Sequence, residues 1–334
     1  MFKKVICLLA VCVAILGARV VMDSDGKKVT IPDNVERATP MIGAFVQMSA
    51  MLGNEERIIS GATKLPVLMA KIYPKIRTNF NQSGSLGSSI ESIIASKTQV
   101  VFGPMGVLFD ENTKKQLQAA GIAVVKIDKF ATPEQIKQSL LLIAEIFGEQ
   151  SVKKAKEFNA YFDENIKFVQ QKASKINSKK RVLVLNHSSG NFSTISANDI
   201  GTQYIQIAGG INLSSELSAE DFKISKTINE EQVLIFNPDV IITNSRESLK
   251  QISKNTSFKG INAVKNKQIF VVPSGVYLWS VRSAEGAMQP LWLAKTLYPN
   301  EFKDLDIEQK TREFYKRFYN YELSDKELNG ILFP

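Results

Sequence analysis

One amphipathic stretch of about 25 residues occupies the middle of this sequence and separates two similar halves. Its apolar residues recur every three or four positions, the period of one helix face; they are Val152, Ala155, Phe158, Phe162, Ile166, Val169, Ala173 and Ile176. Such a helix is about 38 Å long, which is more than one sheet needs for cover. A coiled coil is the alternative, but the pattern stops too soon for one. We therefore predict that residues 151–177 form a rigid helix linking two lobes.

Short apolar runs alternate with helical patterns on both sides of this helix. The first half predicts strands at 57–61, 100–104 and 124–127, and helices at 89–95, 112–120 and from Pro133. The second half predicts strands at 181–185, 240–243 and 269–272, and helices at 199–208, 230–236, 283–297 and 306–331. This alternation indicates parallel sheets covered by helices. The expected fold class is α/β, with two Rossmann-like parallel-sheet lobes at 37–150 and 178–334 and a ligand cleft between them.

The first 18 residues have the form of a secretory signal peptide. Two early lysines precede an apolar run over 5–16, and Gly17 and Ala18 supply the small residues that favour cleavage. The run is short for a membrane span, so a transmembrane anchor is the weaker interpretation. We predict cleavage after Ala18, export to the periplasm and a hairpin over 19–36.

Loss of this segment changes the available chemistry. It removes Cys7 and Cys12, the only two cysteines, so the mature chain has no thiol. A single histidine remains, which argues against a zinc site built from Cys and His. The net charge is +9 for the whole chain, and the basic residues form no long run. We therefore interpret the dispersed positive charge as surface solvation that is also compatible with an anionic ligand, and we expect no nucleic-acid binding.

The two halves share a sequence segment, called the shared phrase below, in which a predicted short helix precedes a predicted strand. It is SIESIIASKTQVV at 89–101 and NEEQVLIFNPDVI at 229–241. Each phrase places a glutamate near the helix start, Glu91 and Glu231, with Glu230 as the near alternative to Glu231. The helix dipole favours an acid there, so capping is the simplest interpretation of either one. Two acids at equivalent places can also form a paired acidic surface.

The chain resembles the helix-linked class of periplasmic substrate-binding proteins, which serve ABC importers of ferric siderophores, haem and cobalamin. The resemblance covers nearly the whole mature chain. It is carried by the order and spacing of DSDGKKVTIPDNVER, GSLGSSIESIIASKTQVVF, the linking helix, AGGINLSSE and NEEQVLIFNPDVII. One departure is Thr98-Gln99, where the family usually has Pro-Asp, as in Pro238-Asp239.

The resemblance implies a function and a partner. The protein is expected to capture a metal chelate, with a ferric siderophore favoured over haem, cobalamin or a nickel complex, and to deliver it to the permease of an ABC importer. Glu91 and Glu231 map onto the family's docking glutamates, which pair with permease arginines. We expect no catalysis, no resident cofactor and a monomer. A secreted α/β enzyme is the rival hypothesis, but the sequence has no Gly-x-Ser-x-Gly elbow, P-loop or paired-His motif.

Ligands of parallel α/β lobes bind beyond the carboxyl ends of the strands. In the second half, the loop 274–282 follows a strand and carries Tyr277, Trp279 and Arg282. We predict that the aromatics stack on the faces of a chelate while the arginine pairs with its anionic edge. The alternative is that both aromatics pack at the base of the following helix.

Other residues near predicted strand ends are weaker candidates for ligand contact. Arg246 is a second cation for an anionic ligand. His187 and Met105 are conceivable metal ligands, although polar lining and core packing are the commoner roles of such residues. Glu285 is expected in the first turn of the predicted helix at 283–297, where the dipole favours it.

Overall fold

The protein is described by a computed structural model over residues 17–61, 65–82, 89–104, 110–217 and 225–334. Residues 1–16 of the predicted signal peptide and the predicted ligand Met105 lie outside these ranges. Within them, no helix has the length and apolar character that crossing a membrane requires.

The first lobe contains a hairpin, a parallel sheet and six helices among the described residues. Its strands are β1 (Ala18–Met22), β2 (Lys28–Pro32), β3 (Ala38–Pro40), β4 (Val100–Gly103) and β5 (Ala123–Lys126). Its helices are α1 (Gly43–Met51), α2 (Val67–Ile72), α3 (Pro74–Gln82), α4 (Ile90–Ala95), α5 (Glu111–Ala119) and α6 (Pro133–Phe147). β1 and β2 pair antiparallel, and β3, β4 and β5 form a parallel sheet in that order.

One helix, α7 (Glu149–Ala173), leads to the second lobe. The strands that follow are β6 (Arg181–Val184), β7 (Asn186–Ser188), β8 (Asn191–Ile195), β9 (Ile211–Asn212), β10 (Ser225–Thr227), β11 (Val240–Thr243) and β12 (Ile269–Val271). The helices are α8 (Ile200–Ile207), α9 (Glu230–Phe236), α10 (Arg246–Lys254), α11 (Asn262–Lys265), α12 (Gln289–Leu297), α13 (Ile307–Tyr319) and α14 (Asp325–Leu332). The parallel sheet has the order β12-β11-β6-β9.

The predicted α/β class with parallel sheets and a long helix is confirmed. All four residues of β4 and all four of β11 are buried, as expected for strands covered on both faces. The 25 residues of α7 match the length of the amphipathic stretch. Gly148 separates α6 from α7 with a φ of 106°, a conformation that strongly favours glycine.

Three local predictions were wrong. The predicted strand at 57–61 is a 3₁₀ turn (Glu55–Arg57) followed by a single bridge between Ile58 and Ala38. The predicted helix at 283–297 begins as a 3₁₀ turn, Ala284–Met288, before α12. The predicted helix at 306–331 is two helices, because Asn320 adopts a left-handed φ of 50° and ends α13. The antiparallel sheet β10-β8-β7 was not predicted.

The short helix and strand of the shared phrase have the same local structure in both lobes. In each lobe, the polar side chain just before the strand accepts a hydrogen bond from a backbone N–H. That N–H belongs to the first residue of the neighbouring strand or to the residue just before it. Asp239 accepts from the N–H of Arg181 at 2.9 Å, and Gln99 accepts from the N–H of Arg37 at 3.0 Å. The departure at Gln99 therefore preserves the contact that an aspartate makes in the second lobe.

The C-terminal helices contact both lobes. Aromatic side chains of α13 pack on α7, with Phe318 5.3 Å from Phe158 and 5.1 Å from Tyr161 between ring centroids. Tyr319 of α13 meets Tyr73 of the first lobe edge to face at 6.2 Å. These helices follow the second lobe in the chain and also contact the first lobe through Tyr319 and Tyr73.

Candidate functional site

The carboxyl ends of two neighbouring strands in the second lobe bring three loops together. Asn186 lies just beyond β6, and its Oδ1 accepts a hydrogen bond from the N–H of Asn244, just beyond β11, at 2.8 Å. The Oδ1 of Asn244 accepts a hydrogen bond from Ser280 Oγ at 3.2 Å. The loop 274–282 is thereby held against both strand ends, where ligands of parallel α/β folds bind.

A cavity of about 120 Å³ adjoins this junction. Its apolar wall is formed by Val184, Ile195, Ile205, Ile242 and Leu293. Its polar wall is formed by Asn186, Thr194, Asp199, Asn244, Ser280, Arg282 and Gln289. The volume is well above the roughly 10–15 Å³ that one water molecule needs. The cavity therefore has room for several waters or for a small polar ligand.

An ion pair forms part of the cavity wall. Nη2 of Arg282 donates to Oδ2 of Asp199 at 2.9 Å, and the two side chains are only 16% and 7% exposed. Asp199 also caps α8, because its Oδ1 accepts from the N–H of Gly201 at 2.8 Å. Burial raises the pKa of the Asp199 carboxyl, while the Gly201 hydrogen bond and the charge of Arg282 oppose that rise. The arginine is thus held in place by an acid whose charged form is partly destabilised.

Arg282 also reaches the first lobe. Its guanidinium carbon lies 5.2 Å from the ring centroid of Phe130, which follows β5. Phe130 in turn meets Phe45 of α1 edge to face, with centroids 6.1 Å apart. A cation over an aromatic face is an attractive contact. The arginine therefore contacts both lobes at the point where they face each other.

Several polar atoms of this cavity wall are buried without a hydrogen-bond partner among the described residues. They are Oγ1 of Thr194, Nε of Arg282 and Oε1 of Gln289. Thr194 is 1% and Gln289 2% exposed, so bulk water does not satisfy them. An unpaired buried polar group costs about 1–3 kcal/mol. Three such atoms around one cavity indicate that its walls are built to hydrogen-bond a small polar occupant.

The two aromatic residues that were predicted to stack on a ligand differ in burial. Trp279 is fully buried in the main hydrophobic core, so its ring has no free face, and the prediction that it stacks on a ligand is corrected to core packing. Tyr277 is half-buried and packs against the main core. Only Tyr277 keeps an accessible aromatic surface on this loop.

The other predicted contacts lie away from the cavity. Arg246 is exposed, and its Nη2 donates to the carbonyl of Phe333 at 2.7 Å near the C-terminus. His187 is half-buried on β7, and its ring contacts Phe192 at 5.0 Å between centroids. Neither residue is part of the cavity wall. Across the described ranges, no group of three or more His, Cys, Asp or Glu side chains is arranged to hold a metal ion.

Glu285 accepts hydrogen bonds from the backbone of the loop 274–282. It lies in the expected first turn, but it is fully buried. Its carboxyl accepts hydrogen bonds from the Tyr315 hydroxyl and from the N–H groups of Tyr277 and Val276. Burial raises its pKa to about 7, although these hydrogen bonds act in the opposite direction. The acid fixes the backbone of the loop that leads to Ser280 and Arg282.

Gln47 of α1 joins this buried network from the first lobe. Its Nε2 donates to the Tyr319 hydroxyl at 2.7 Å and to Glu285 at 3.4 Å. Its Oε1 accepts from the N–H of Ala284 at 2.9 Å. The residue is fully buried, so these contacts connect the two lobes behind the loop 274–282.

The two predicted docking glutamates are both exposed and lie at matching places. Glu91 is the second residue of α4, which Ser89 caps, and Glu231 is the second residue of α9, which Asn229 caps. The near alternative Glu230 has a local partner, because its Oε1 accepts from Asn255 Nδ2 at 2.7 Å. The geometry therefore favours Glu231 as the counterpart of Glu91.

Sequence reasoning missed Asp199, Thr194 and Gln289, which line the cavity together with Arg282. Asp199 is 83 positions away from Arg282 in the chain, and Thr194 lies on the unpredicted β8. The one local signal was Asp199 itself, which directly precedes a predicted helix and is a typical N-cap. No sequence pattern connects such a cap to an arginine in another loop.

Comparisons with known proteins agree with this architecture. A family model described as "Periplasmic binding protein" matches residues 73–276, more than half of the chain. The molybdate-binding protein MolA of Haemophilus influenzae is 27% identical over 339 residues, covering 91% of this chain and 92% of the relative. The iron-uptake system-binding protein of Bacillus subtilis is 22% identical, covering 79% of this chain and 84% of the relative.

Solved structures show the same fold. A periplasmic solute binding protein from Veillonella parvula superposes with a TM-score of 0.80 at 22% identity, covering 95% of this chain and 97% of its own. Molybdate-bound MolA, the cognate periplasmic binding protein of an ABC transporter, gives 0.78 at 23% identity, with 92% and 99% covered.

Proposed function

The chain belongs to the periplasmic binding protein family, and we propose that it captures a small metal-containing anion between its lobes and delivers it to an ABC importer. The relatives are named as binding proteins, and one of the solved structures as a periplasmic solute binding protein, which supports binding rather than catalysis. The observation that carries the proposal is the polar cavity beside the Arg282–Asp199 pair, at the strand ends where the lobes face each other.

The chemistry of the cavity favours an anion. Its wall offers an unpaired N–H of Arg282 and the unpaired hydroxyl of Thr194. The guanidinium is planar, permanently charged and suited to oxygen acceptors. The ligand's oxygens would add to, or replace, the contact that Asp199 makes in the free protein. Since burial already raises the pKa of Asp199, proton uptake by this acid would leave Arg282 as the dominant charge.

Among metal-containing anions, we place an oxyanion of the molybdate type first. The cavity is small, the buried Trp279 gives a flat chelate no stacking face, and a relative that covers nine tenths of this chain is named for molybdate. A ferric siderophore, the ligand favoured by the sequence, is the second candidate. The half-buried Tyr277 and the iron-uptake relative support it.

Delivery requires contact with a permease. We propose that Glu91 and Glu231 provide the charged part of that contact, as the family resemblance implies. Both are exposed at the start of equivalent helices. Each exposed pair alone contributes only about 0.2–1 kcal/mol, but two pairs made together reinforce each other through effective concentration.

The binding proposal is tested with the purified mature chain and sodium molybdate in isothermal titration calorimetry. Arg282→Gln is expected to weaken binding about 10- to 100-fold, because a charge-assisted hydrogen bond contributes roughly 1.5–3 kcal/mol. Arg246→Gln is the matched control, since that arginine is exposed and outside the cavity. Sulfate, a ferric siderophore, haem and a nickel complex complete the ligand panel.

A second variant separates binding from folding. Thr194→Val removes a hydroxyl that has no hydrogen-bond partner within the described part of the chain, so stability should stay equal or rise while molybdate affinity falls. Wild-type affinity in both Arg282→Gln and Thr194→Val would show that the ligand binds elsewhere. Binding of the siderophore alone would reverse the order of the two candidates.

A further inference from the structure

The two docking helices carry more than a glutamate. Residues 89–100 and 229–240 correspond position by position, so that Glu91 matches Glu231 and the following helical turns can be compared directly. Three residues after each glutamate stands a large apolar side chain, Ile94 in α4 and Leu234 in α9. Residues three apart lie on the same helix face. Each glutamate therefore has an apolar neighbour on its own helix.

These apolar side chains are exposed. Ile94 is 41% and Leu234 42% exposed, and Ile235, next to Leu234, is 72% exposed. The inward positions of the two helices are already filled by Ile93 and Val233, which are fully buried. Packing within the lobes thus gives no reason for an apolar residue at the outward positions.

A single exposed apolar residue is ordinary in a soluble protein. Here, however, the same combination of acid and apolar side chain occurs on the corresponding helix of each lobe. A partner that matches both copies needs two equivalent surfaces, each with a basic group beside apolar side chains. The permease of an ABC importer, already the partner in the proposed function, is a partner of this kind when it presents two such surfaces.

We infer that Ile94, Leu234 and Ile235 form the apolar part of the permease contact, which rests on the proposed function. Burial of apolar surface supplies affinity without directionality, whereas the glutamates supply orientation and the rate of encounter. The two helices would therefore act as two small docking patches, each combining both kinds of contact. A second copy of this chain is the occupant that the test must distinguish.

The first test places a benzophenone amino acid at position 94, 235 or 211 of the full chain, one at a time, in cells of its native host. Ile211 is the matched control, since it is 44% exposed on β9 of the second lobe and is not beside a docking glutamate. Illumination should join positions 94 and 235, but not 211, to a membrane subunit of an ABC importer identified by mass spectrometry. Crosslinks only to a second copy of the chain, no crosslinks, or equal crosslinking from position 211 would overturn the inference.

The second test measures uptake of radioactive molybdate by the same cells. Ile94→Ser/Ile235→Ser is expected to lower the uptake rate at least about fivefold while leaving molybdate affinity of the purified protein unchanged; Ile211→Ser should lower neither. Wild-type uptake in the double variant would contradict the inference. If wild-type cells take up no molybdate, the proposed ligand fails, and the crosslinks still decide the docking surface.

Discussion

At the residue scale, Glu285 shows how one buried acid can fix the backbone of a loop, here 274–282. Its carboxyl receives donors from Tyr315 and from the backbone of Val276 and Tyr277. Donors of this kind favour the charged form, while complete burial favours the neutral form. Burial has the larger effect and raises the pKa of Glu285 from an ordinary 4.5 to about 7.

This raised pKa predicts a pH dependence of stability. The folded protein holds the proton of Glu285 more tightly than the unfolded chain does, so the stabilising contribution is complete below about pH 4.5 and is lost as the pH rises to about 7. The loss is on the order of 2–4 kcal/mol. Glu285→Gln cannot titrate, so its free energy of unfolding relative to wild type should improve between pH 5 and pH 8.

Urea unfolding at these two pH values measures the effect. Glu231→Gln is the control, because that side chain is exposed, and it should keep the wild-type dependence. The absolute stability of Glu285→Gln can be lower at both pH values. The reason is that the NH2 group of glutamine is a donor and cannot accept the hydrogen bonds that a carboxyl oxygen of Glu285 accepts. A pH dependence identical to wild type in Glu285→Gln would show that Glu285 does not titrate in this range.

At the scale of the element, α4 and α9 share one arrangement, a capped helix start with a glutamate at the second position. Ser89 caps α4 by accepting from the N–H of Ser92, and Asn229 caps α9 in a capping box with Gln232. The caps fix where each helix begins and hence where the second helical residue points. Both glutamates occupy that second position, so their equivalence follows from equivalent caps.

The paired arrangement predicts a separation of binding from transport. Glu91→Gln/Glu231→Gln should leave molybdate affinity unchanged in the purified protein, because neither residue is part of the cavity wall. Transport should fall by more than the sum of the two single effects, because the contacts act together. Uptake by cells with the single and double variants checks this. Normal transport in the double variant would show that the glutamates have no role in docking.

At the scale of the whole molecule, the lobes are connected twice. The long helix α7 forms one connection, and α13 and α14 form another through Tyr319 and through Glu327, which pairs with Lys71 of α2 at 2.7 Å. Gln47 adds buried hydrogen bonds between α1 and this second connection. Two connections oppose a wide hinge motion, so ligand capture should involve only modest closure.

The buried and exposed parts of the second connection should differ in energy. Gln47→Ala leaves the N–H of Ala284 and the hydroxyl of Tyr319 without this partner, and is expected to cost about 1–3 kcal/mol. Lys71→Ala removes an exposed ion pair, which water and salt screen, and should therefore cost less than Gln47→Ala. Scanning calorimetry of both variants tests the ranking. Equal losses would mean that the exposed pair contributes as much to stability as the buried amide, contrary to this ranking.

The sequence by itself was sufficient for most of the elements and their order, although not for the segment 57–61 or for the sheet β10-β8-β7. Periodicity is a local property, so the strands β4, β6 and β11, the helix α7 and the two matching helix–strand units were all predicted from neighbouring residues. The positions of Glu91 and Glu231 followed for the same reason, since a cap and a first helical turn lie within a few residues of each other.

The site was decided by tertiary structure. The Arg282–Asp199 pair, the burial of Trp279 and the network around Glu285 each depend on residues that are distant in the chain and meet only when the sheet is assembled. Whether an aromatic ring stacks on a ligand or fills the core depends on which helices cover it, and α13 and α14 cover both lobes here. Sequence patterns report which face of an element is apolar; only the packed structure determines what that face meets.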